Sequence, residues 1–272
     1  MEKYRKKYIV SGDIIECYEY ENNIYKGYEM SDFEREHTGR RSEASEEVKK
    51  ENRAKSSSRA KRTVRRLVNA NIEGSSKFVT LTFAEDIKDL KQANYIFKKF
   101  KQRLEYQMKI DIKYLCVPEF TKKGRVHYHV IFFNLPYIKN TTLEMIWGQG
   151  FIKINKVDNC DNVGAYVSKY MTEDNLILVE EKSYFTSRNL NKPQEFINEK
   201  EIEILADSLS PTDVVYEQTF ENDFVGQVKY TQYNLKRQEV LNKYKKIEKR
   251  KNIQMYSQEW FEAEVDRYFR EN

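Results

Sequence analysis

Hydrophobic and polar positions alternate along this chain with two different periods, and together they predict a mixed α and β fold. A period of two or a short apolar run indicates a strand, and apolar residues three or four apart indicate a helix. Between residues 76 and 175 the predicted strands are 78–83, 112–120, 125–133 and 151–155, and the predicted helices are 89–108, 141–147 and 159–172. This order predicts an α+β, ferredoxin-like fold in which an antiparallel sheet carries helices on one face.

The flanking segments have weaker patterns, which predict additions to this core. Residues 4–30 alternate apolar and polar side chains and predict short strands or a hairpin. Residues 42–70 contain no Gly or Pro and predict one basic helix, which three consecutive serines at 56–58 could break. Later in the chain we expect strands at 213–220 and 227–233 and helices at 234–252 and 257–270. The resulting division is an N-terminal region 1–75, a core 76–175 and a C-terminal extension 176–272.

Basic residues are concentrated in two stretches of a chain whose net charge is +5 and whose pI is near 8.8. Residues 53–66 hold seven Lys or Arg and no acid, and residues 236–251 form a second basic run. Clustered positive charge is typical of nucleic-acid-binding surfaces, although a solvated helix face explains each run almost as well. The candidate DNA-binding residues are Arg59, Arg62, Arg65, Arg66 and Arg125.

Nothing in the sequence predicts secretion or membrane insertion. No apolar run approaches the length of a membrane span, and no apolar segment follows the basic N-terminus as it would in a secretory signal. The cysteines Cys17, Cys116 and Cys160 are too widely spaced to suggest a disulfide framework or a zinc knuckle. We therefore expect a cytoplasmic protein with no membrane partner.

Two of the three histidines, His127 and His129, lie in one predicted strand. Residues two apart on a strand point to the same face, so both imidazoles would project together and Tyr128 would point away. Glu119 ends the preceding strand, and a short turn at 122–125 could bring it beside the histidines in an antiparallel hairpin. Two imidazoles and a carboxylate leave open positions, as a catalytic metal requires. The alternative interpretation is a polar strand face without a metal.

The last predicted helix of the core places Tyr166 and Tyr170 one turn apart, with Lys169 beside them. A tyrosine can attack phosphorus and form a phosphotyrosine ester. A phenol with an ordinary pKa of about 10 is a poor nucleophile at neutral pH, so a metal ion and an ammonium group would have to stabilise the charged transition state. The chain contains 20 tyrosines, and packing in the core is the competing interpretation.

In their order, these segments resemble the three motifs of the HUH endonuclease superfamily of rolling-circle replication initiators. The segments are residues 78–83, 124–133 and 166–170, and the resemblance covers about residues 76–175. The tyrosine motif, with a lysine between two tyrosines, is similar to that of initiators from small single-stranded DNA phages and related plasmids. One departure is Tyr128, which stands where the family pattern usually has a bulky hydrophobic residue.

The resemblance implies a nickase that initiates replication on single-stranded or hairpin origin DNA. Tyr166 would attack the scissile phosphate and leave a 5′-phosphotyrosine and a free 3′-OH. Tyr170 would act as a second nucleophile after one round of synthesis, and Lys169 would position the phosphate or the ion. A host helicase and a host polymerase are the further partners that such an initiator implies.

The resemblance also implies a divalent metal, Mg²⁺ or Mn²⁺, bound by His127, His129 and Glu119. By ligand preference alone, this set of donors suits zinc or another transition metal. Oxygen atoms of the phosphate substrate would complete the coordination sphere, which favours the metals that the family implies.

Two other functions are compatible with the same sequence. A relaxase or a single-strand transposase would use the same metal and tyrosine chemistry in a different process. A non-catalytic nucleic-acid-binding module would use none of it, because a ferredoxin-like sheet with basic arms also suits RNA binding.

Overall fold

The computed structural model describes residues 2–26, 45–72, 74–157, 162–171 and 183–236. The helices and the basic run predicted beyond residue 236 lie outside these residues, as does Cys160. In chain order, the elements of the described part are β1 (Glu2–Ser11), β2 (Ile14–Lys26), α1 (Glu46–Asn69), β3 (Lys77–Leu81), α2 (Leu90–Met108), β4 (Tyr114–Phe120), β5 (Val126–Phe132), α3 (Asn140–Trp147), β6 (Ile152–Lys156), α4 (Val163–Ser168), β7 (Phe185–Thr186), β8 (Gln194–Phe196), α5 (Glu199–Ser208), a 3-10 turn (Pro211–Asp213), β9 (Val214–Asn222) and β10 (Gly226–Asn234).

The core forms a five-stranded antiparallel sheet, the catalytic sheet, with the order β6-β3-β5-β4-β7. Within it, the chain order β3-α2-β4-β5-α3-β6 is the ferredoxin-like arrangement. The predicted α+β class is therefore confirmed. The short strand β7 extends the edge beside β4 and was not predicted from the sequence pattern.

Helices α2 and α3 cover one face of the catalytic sheet, as predicted. Helix α2 begins after Asp89, whose carboxylate accepts a hydrogen bond from a backbone N–H of the first turn. Trp147, at the end of α3, is fully buried, and its Nε1 donates to the carbonyl oxygen of Thr82 (2.8 Å). The buried residues of α2 recur every three or four positions and are Ala93, Phe97, Phe100 and Leu104.

Helices α1 and α4 cover the opposite face. Val64 and Val68 of α1 and Val167 of α4 belong to one buried cluster with Phe78 and Ile131 of the sheet. The expectation that helices lie on one face is therefore correct for α2 and α3 and wrong for α4. The reason is that residues 131 and 78 expose an apolar face on the far side of the sheet, which the amphipathic helices α1 and α4 bury. Helix α1 runs unbroken through the serines at 56–58.

The first and last strands form a second antiparallel sheet, the flanking sheet, with the order β8-β1-β2-β10-β9. The strands predicted at residues 4–30, 213–220 and 227–233 are confirmed, but they pair with one another across the length of the chain. Helix α5, which the sequence pattern did not predict, packs Ile202 and Leu205 on one face of this sheet. No helix among the described residues is long and apolar enough to cross a membrane.

Candidate active site

A tight hairpin brings Glu119 and the two histidines together. Strands β4 and β5 pair so that Glu119 lies directly opposite His127, two residues from the pair of Val117 and His129. All three polar side chains therefore share one face, and Tyr128 is buried on the other face, as predicted. The turn requires Gly124, whose φ of +77° lies in the left-handed region.

His129 is the buried centre of the site, with 5% of its surface exposed. Its Nε2 hydrogen-bonds the Glu119 carboxylate at 2.5 Å, and its Nδ1 lies 3.3 Å from the hydroxyl of Thr80. With Nε2–H donating to Glu119, Nδ1 is left to accept a hydrogen bond from Thr80. Partners on both nitrogens fix the orientation of the ring.

His127 lies beside His129 on the same strand and is half-buried. Burial lowers the pKa of His127, Glu119 opposes this effect, and the positive charges of His129 and Arg125 reinforce it. The imidazole of His127 is therefore neutral at neutral pH, which is the form that can bind a metal ion.

The two tyrosines of the predicted motif lie directly on this pair of strands. The ring of Tyr170 stacks on the ring of His129, with 3.9 Å between centroids and 27° between planes. The hydroxyls of Tyr166 and Tyr170 are 3.0 Å apart and hydrogen-bonded. Phe78 of β3 contacts both tyrosine rings, at 5.3 and 5.2 Å, and stacks on His129 at 5.8 Å. The chain thus brings the histidine strand, β5, and the tyrosine helix, α4, into one cluster.

The hydroxyl of Tyr170 is held in its protonated form. Burial, followed by the hydrogen bond and the charge of Tyr166 and then the charge of Glu119, raises the pKa of Tyr170. In this arrangement the phenol of Tyr170 serves as a hydrogen-bonding partner for Tyr166.

Helix α4 is positioned by a polar and close-packed contact with α1. Asn162 caps α4 by accepting a hydrogen bond from Ala165 N (2.9 Å). Asn69 of α1 donates to Asn162 Oδ1 (3.1 Å) and accepts from Gly164 N (2.9 Å). A Cβ on Gly164 would lie only 2.2 Å from the carbonyl oxygen of Arg65, so the two helices meet where only glycine fits. Sequence reasoning missed Asn69 and Gly164, because nothing in the local pattern marks a contact between residues almost a hundred positions apart.

The candidate basic residues differ in their surroundings. Lys169 is exposed at the end of α4, next to the two tyrosines. Three arginines of α1 are also exposed, namely Arg59, Arg62 and Arg65.

The other two candidate arginines are engaged in ion pairs. The guanidinium of Arg66 donates to Glu16 through Nε (2.5 Å) and Nη2 (3.1 Å), and also to the Tyr18 hydroxyl (2.9 Å). Arg125 donates to Asp86 at 2.6 Å on the surface. A surface pair of this kind is weak and can be exchanged for a phosphate, whereas Arg66 is held within the protein.

The donor atoms at the site suit a metal ion, but their present arrangement is not a ready three-ligand site. His127, His129 and Glu119 supply two imidazoles and a carboxylate on one face. Among the described residues, no group of three or more His, Cys, Asp or Glu has the spacing of a metal centre. The direct hydrogen bond between Glu119 and His129 occupies the position in which a shared ion would lie. Binding by all three donors would therefore require Glu119 to turn away from His129.

The fold and the site define a ferredoxin-like α+β protein in which a tyrosine pair lies over a His and Glu pair. Residues 76–175 match a family model described as a replication-associated protein of the ORF2 type. No curated protein and no solved structure gives a significant match. The matched region contains the histidine strand and the tyrosine helix, so the candidate site lies within the part of the chain that is similar to replication-associated proteins.

Proposed function

We propose that this protein initiates DNA replication by nicking one strand at an origin, through attack of Tyr166 on a backbone phosphodiester. One observation carries the proposal: the hydroxyls of Tyr166 and Tyr170 are 3.0 Å apart, and the ring of Tyr170 stacks on His129. A packing role alone would not bring two phenol hydroxyls together beside a His and Glu pair. The family match over residues 76–175 supports the assignment to replication.

The reaction is a transesterification. The Oη of Tyr166 forms a bond to phosphorus while the bond from phosphorus to O3′ breaks. The phenol proton is released as the new ester forms, and O3′ takes up a proton as it departs. The products are a 5′-phosphotyrosine, which keeps the energy of the cleaved ester for rejoining, and a free 3′-OH, which primes synthesis.

The adjacent tyrosine gives the site a second nucleophile. After one round of synthesis, Tyr170 attacks the regenerated junction while the first strand end is still bound to Tyr166. Their hydroxyls are hydrogen-bonded, so either one can reach a phosphate held at the same place. Lys169 is exposed beside them and neutralises charge on the phosphate.

We assign the metal to His127, His129 and Glu119, with Mg²⁺ or Mn²⁺ as the ion. When bound, the ion supplies Lewis-acid polarisation of the scissile phosphate. The lowered pKa of His127 keeps its imidazole available as a ligand, and Thr80 holds the ring of His129 in place. Glu119 provides the carboxylate after releasing its hydrogen bond to His129.

The DNA contacts are assigned to exposed basic groups. Arg59, Arg62 and Arg65 form a positive edge on α1, which packs directly against the tyrosine helix. Arg125 lies in the turn beside the histidines. Extension of the 3′-OH requires a polymerase and displacement of the strand requires a helicase, both of which we propose that the host supplies.

The test is a cleavage assay on a labelled pool of single-stranded DNA with Mn²⁺ or Mg²⁺. Wild type is compared with Tyr166→Phe and His127→Ala, and with Tyr106→Phe as a control at an exposed tyrosine of α2. We expect a metal-dependent product with protein on its 5′ end for wild type and the control, and none for the other two. Binding of DNA without an adduct under any metal would instead indicate a binding module.

A further inference from the structure

Five tyrosines form a continuous row across the flanking sheet, far from the tyrosines of the candidate active site in the sequence. Neighbouring ring centroids are 5.0 to 6.3 Å apart, in the order in which the rings meet one another. The row crosses β1, β2, β10 and β9 on the face opposite helix α5. We call this set the tyrosine row, and it consists of Tyr4, Tyr20, Tyr18, Tyr230 and Tyr216.

The rings of the tyrosine row are held in place by their hydroxyls. The hydroxyls of Tyr18 and Tyr230 donate to Oε1 of Glu16, at 3.2 and 3.1 Å. The hydroxyl of Tyr216 donates to Gln218. None of these rings is fully buried, and half of the surface of Tyr216 is exposed (50%). Rings that are fixed at their edges lose little conformational freedom when another flat group stacks on them.

Positive charge surrounds the tyrosine row. Burial and then the charge of Glu16 raise the pKa of Tyr18 to about 12, and the nearby guanidinium groups of Arg66 and Arg62 oppose that rise. Arg65 has the same opposing effect on the pKa of Tyr230. The side chain of Arg5 is exposed at the other end of the row, where its Nε donates to the carbonyl oxygen of Tyr20 (3.3 Å).

The acidic groups on this face are paired. Glu16 is buried and bound to Arg66, and Glu195 lies 3.8 Å from Lys7 and 3.9 Å from Lys26. Exposed arginines therefore dominate the charge around the aromatic rings. Aromatic rings beside a positive edge are the combination that binds single-stranded nucleic acid, because bases stack on the rings while phosphates meet the cations.

We propose that the tyrosine row is a second DNA-binding surface, on which bases of the single strand next to the nick stack while Arg62 and Arg65 bind its phosphates. That the ligand is DNA rests on the proposed function. Helix α1 connects the two surfaces, since the carbonyl oxygen of Arg65 packs against Gly164, two residues before Tyr166. A strand that leaves the tyrosine helix can thus cross α1 and reach the flanking sheet.

The test measures binding of fluorescent dT20 to the full chain in a Tyr166→Phe background, which prevents cleavage. Tyr20→Ala and Tyr216→Ala are compared with Tyr20→Phe and Tyr216→Phe, which keep the rings. Tyr106→Ala is the matched control, because Tyr106 is 86% exposed on the remote helix α2. We expect each alanine variant of the row to bind about tenfold more weakly, with the phenylalanine variants and the control close to the parent.

A second measurement does not depend on the stability of the variants. Ultraviolet crosslinking of dT20 to the parent protein, followed by peptide mapping, should place thymine on β2 or β9. Alanine variants that bind as well as the Tyr106→Ala control, or crosslinks that avoid both strands, would overturn the proposal. Preference for rU20 or for duplex DNA would overturn the assignment to single-stranded DNA.

The outcomes separate this proposal from the proposed function. With Tyr166 intact, Tyr20→Ala and Tyr216→Ala should still form the adduct on a short oligonucleotide that covers only the nick site. If wild type forms no adduct but loses dT20 binding in these variants, the nickase is wrong and the tyrosine row stands. If wild type forms the adduct and the variants bind dT20 normally, the tyrosine row is wrong and the nickase stands.

Discussion

At the scale of single residues, the histidine strand shows what a period of two can predict. His127 and His129 had to share a face, and the short turn placed Glu119 on that face in the register that the structure has. The stacking of Tyr170 on His129 could not be predicted, because it depends on how a helix from another part of the chain docks on the sheet. The direct bond between Glu119 and His129 was equally invisible in the sequence.

The second hydroxyl of the pair can be removed alone. We expect Tyr170→Phe to keep the stack on His129 and the first cleavage, since the ring remains and only the hydroxyl is lost. Transfer of a strand to the second tyrosine should disappear. A rejoining assay on a cleaved substrate measures this loss, and the scheme with two tyrosines is wrong if both cleavage and rejoining persist.

Replacing Glu119 tests the metal assignment. Glu119→Gln keeps an acceptor for the hydrogen bond from His129 but removes the negative charge. We expect metal affinity to fall by about 10- to 100-fold. Calorimetric titration with Mn²⁺ measures the affinity directly, and the concentration of Mn²⁺ needed for the adduct should rise in parallel. An unchanged affinity would remove Glu119 from the set of ligands.

At the scale of elements, the order of strands and helices in the core follows from the sequence pattern, and the faces they cover follow only in part. The buried stripe of α2 is visible as Ala93, Phe97, Phe100 and Leu104. The helix α4 carries Val163 and Val167, but its pattern does not reveal on which face of the sheet they are buried. That choice depends on α1, which supplies Asn69 and a close backbone contact.

The contact between α1 and α4 gives a test at this scale. A Cβ at Gly164 would meet the carbonyl oxygen of Arg65 at 2.2 Å, so Gly164→Ala must displace α4. We expect a loss of about 1–3 kcal/mol in the free energy of unfolding, and a large loss of adduct as Tyr166 moves. Gly74→Ala is the matched control, because nothing lies within 4 Å of its Cβ. Urea unfolding compares the two, and equal stabilities would contradict the close contact.

At the scale of the whole molecule, the sequence predicted strands near both ends of the described chain but not that they share one sheet. Pairing of β2 with β10 joins residues more than two hundred positions apart, and no local pattern specifies such a partner. The ion pair of Arg66 with Glu16 then ties α1 to this sheet. A basic run that looked uniform in the sequence therefore contains one structural arginine among exposed ones.

Two arginines one turn apart on α1 should respond differently. Arg66→Ala leaves the buried carboxylate of Glu16 unpaired, and we expect it to lower the free energy of unfolding by about 3 kcal/mol. Arg62→Ala should change stability by less than about 0.5 kcal/mol, but it should reduce the slope of log affinity against log salt for single-stranded DNA by about 1. Urea unfolding and salt titrations measure the two effects, and the reverse pattern would contradict the roles assigned here.

The most direct test of the central claim is to find the amino acid that becomes attached to DNA. The full chain is incubated with Mn²⁺ and a labelled single-stranded substrate, digested with a protease, and the DNA-modified peptide is identified by mass spectrometry. The account predicts a 5′-phosphate ester on Tyr166, absent from Tyr166→Phe. A modified residue outside α4, or bound DNA with no modified tyrosine, would contradict it.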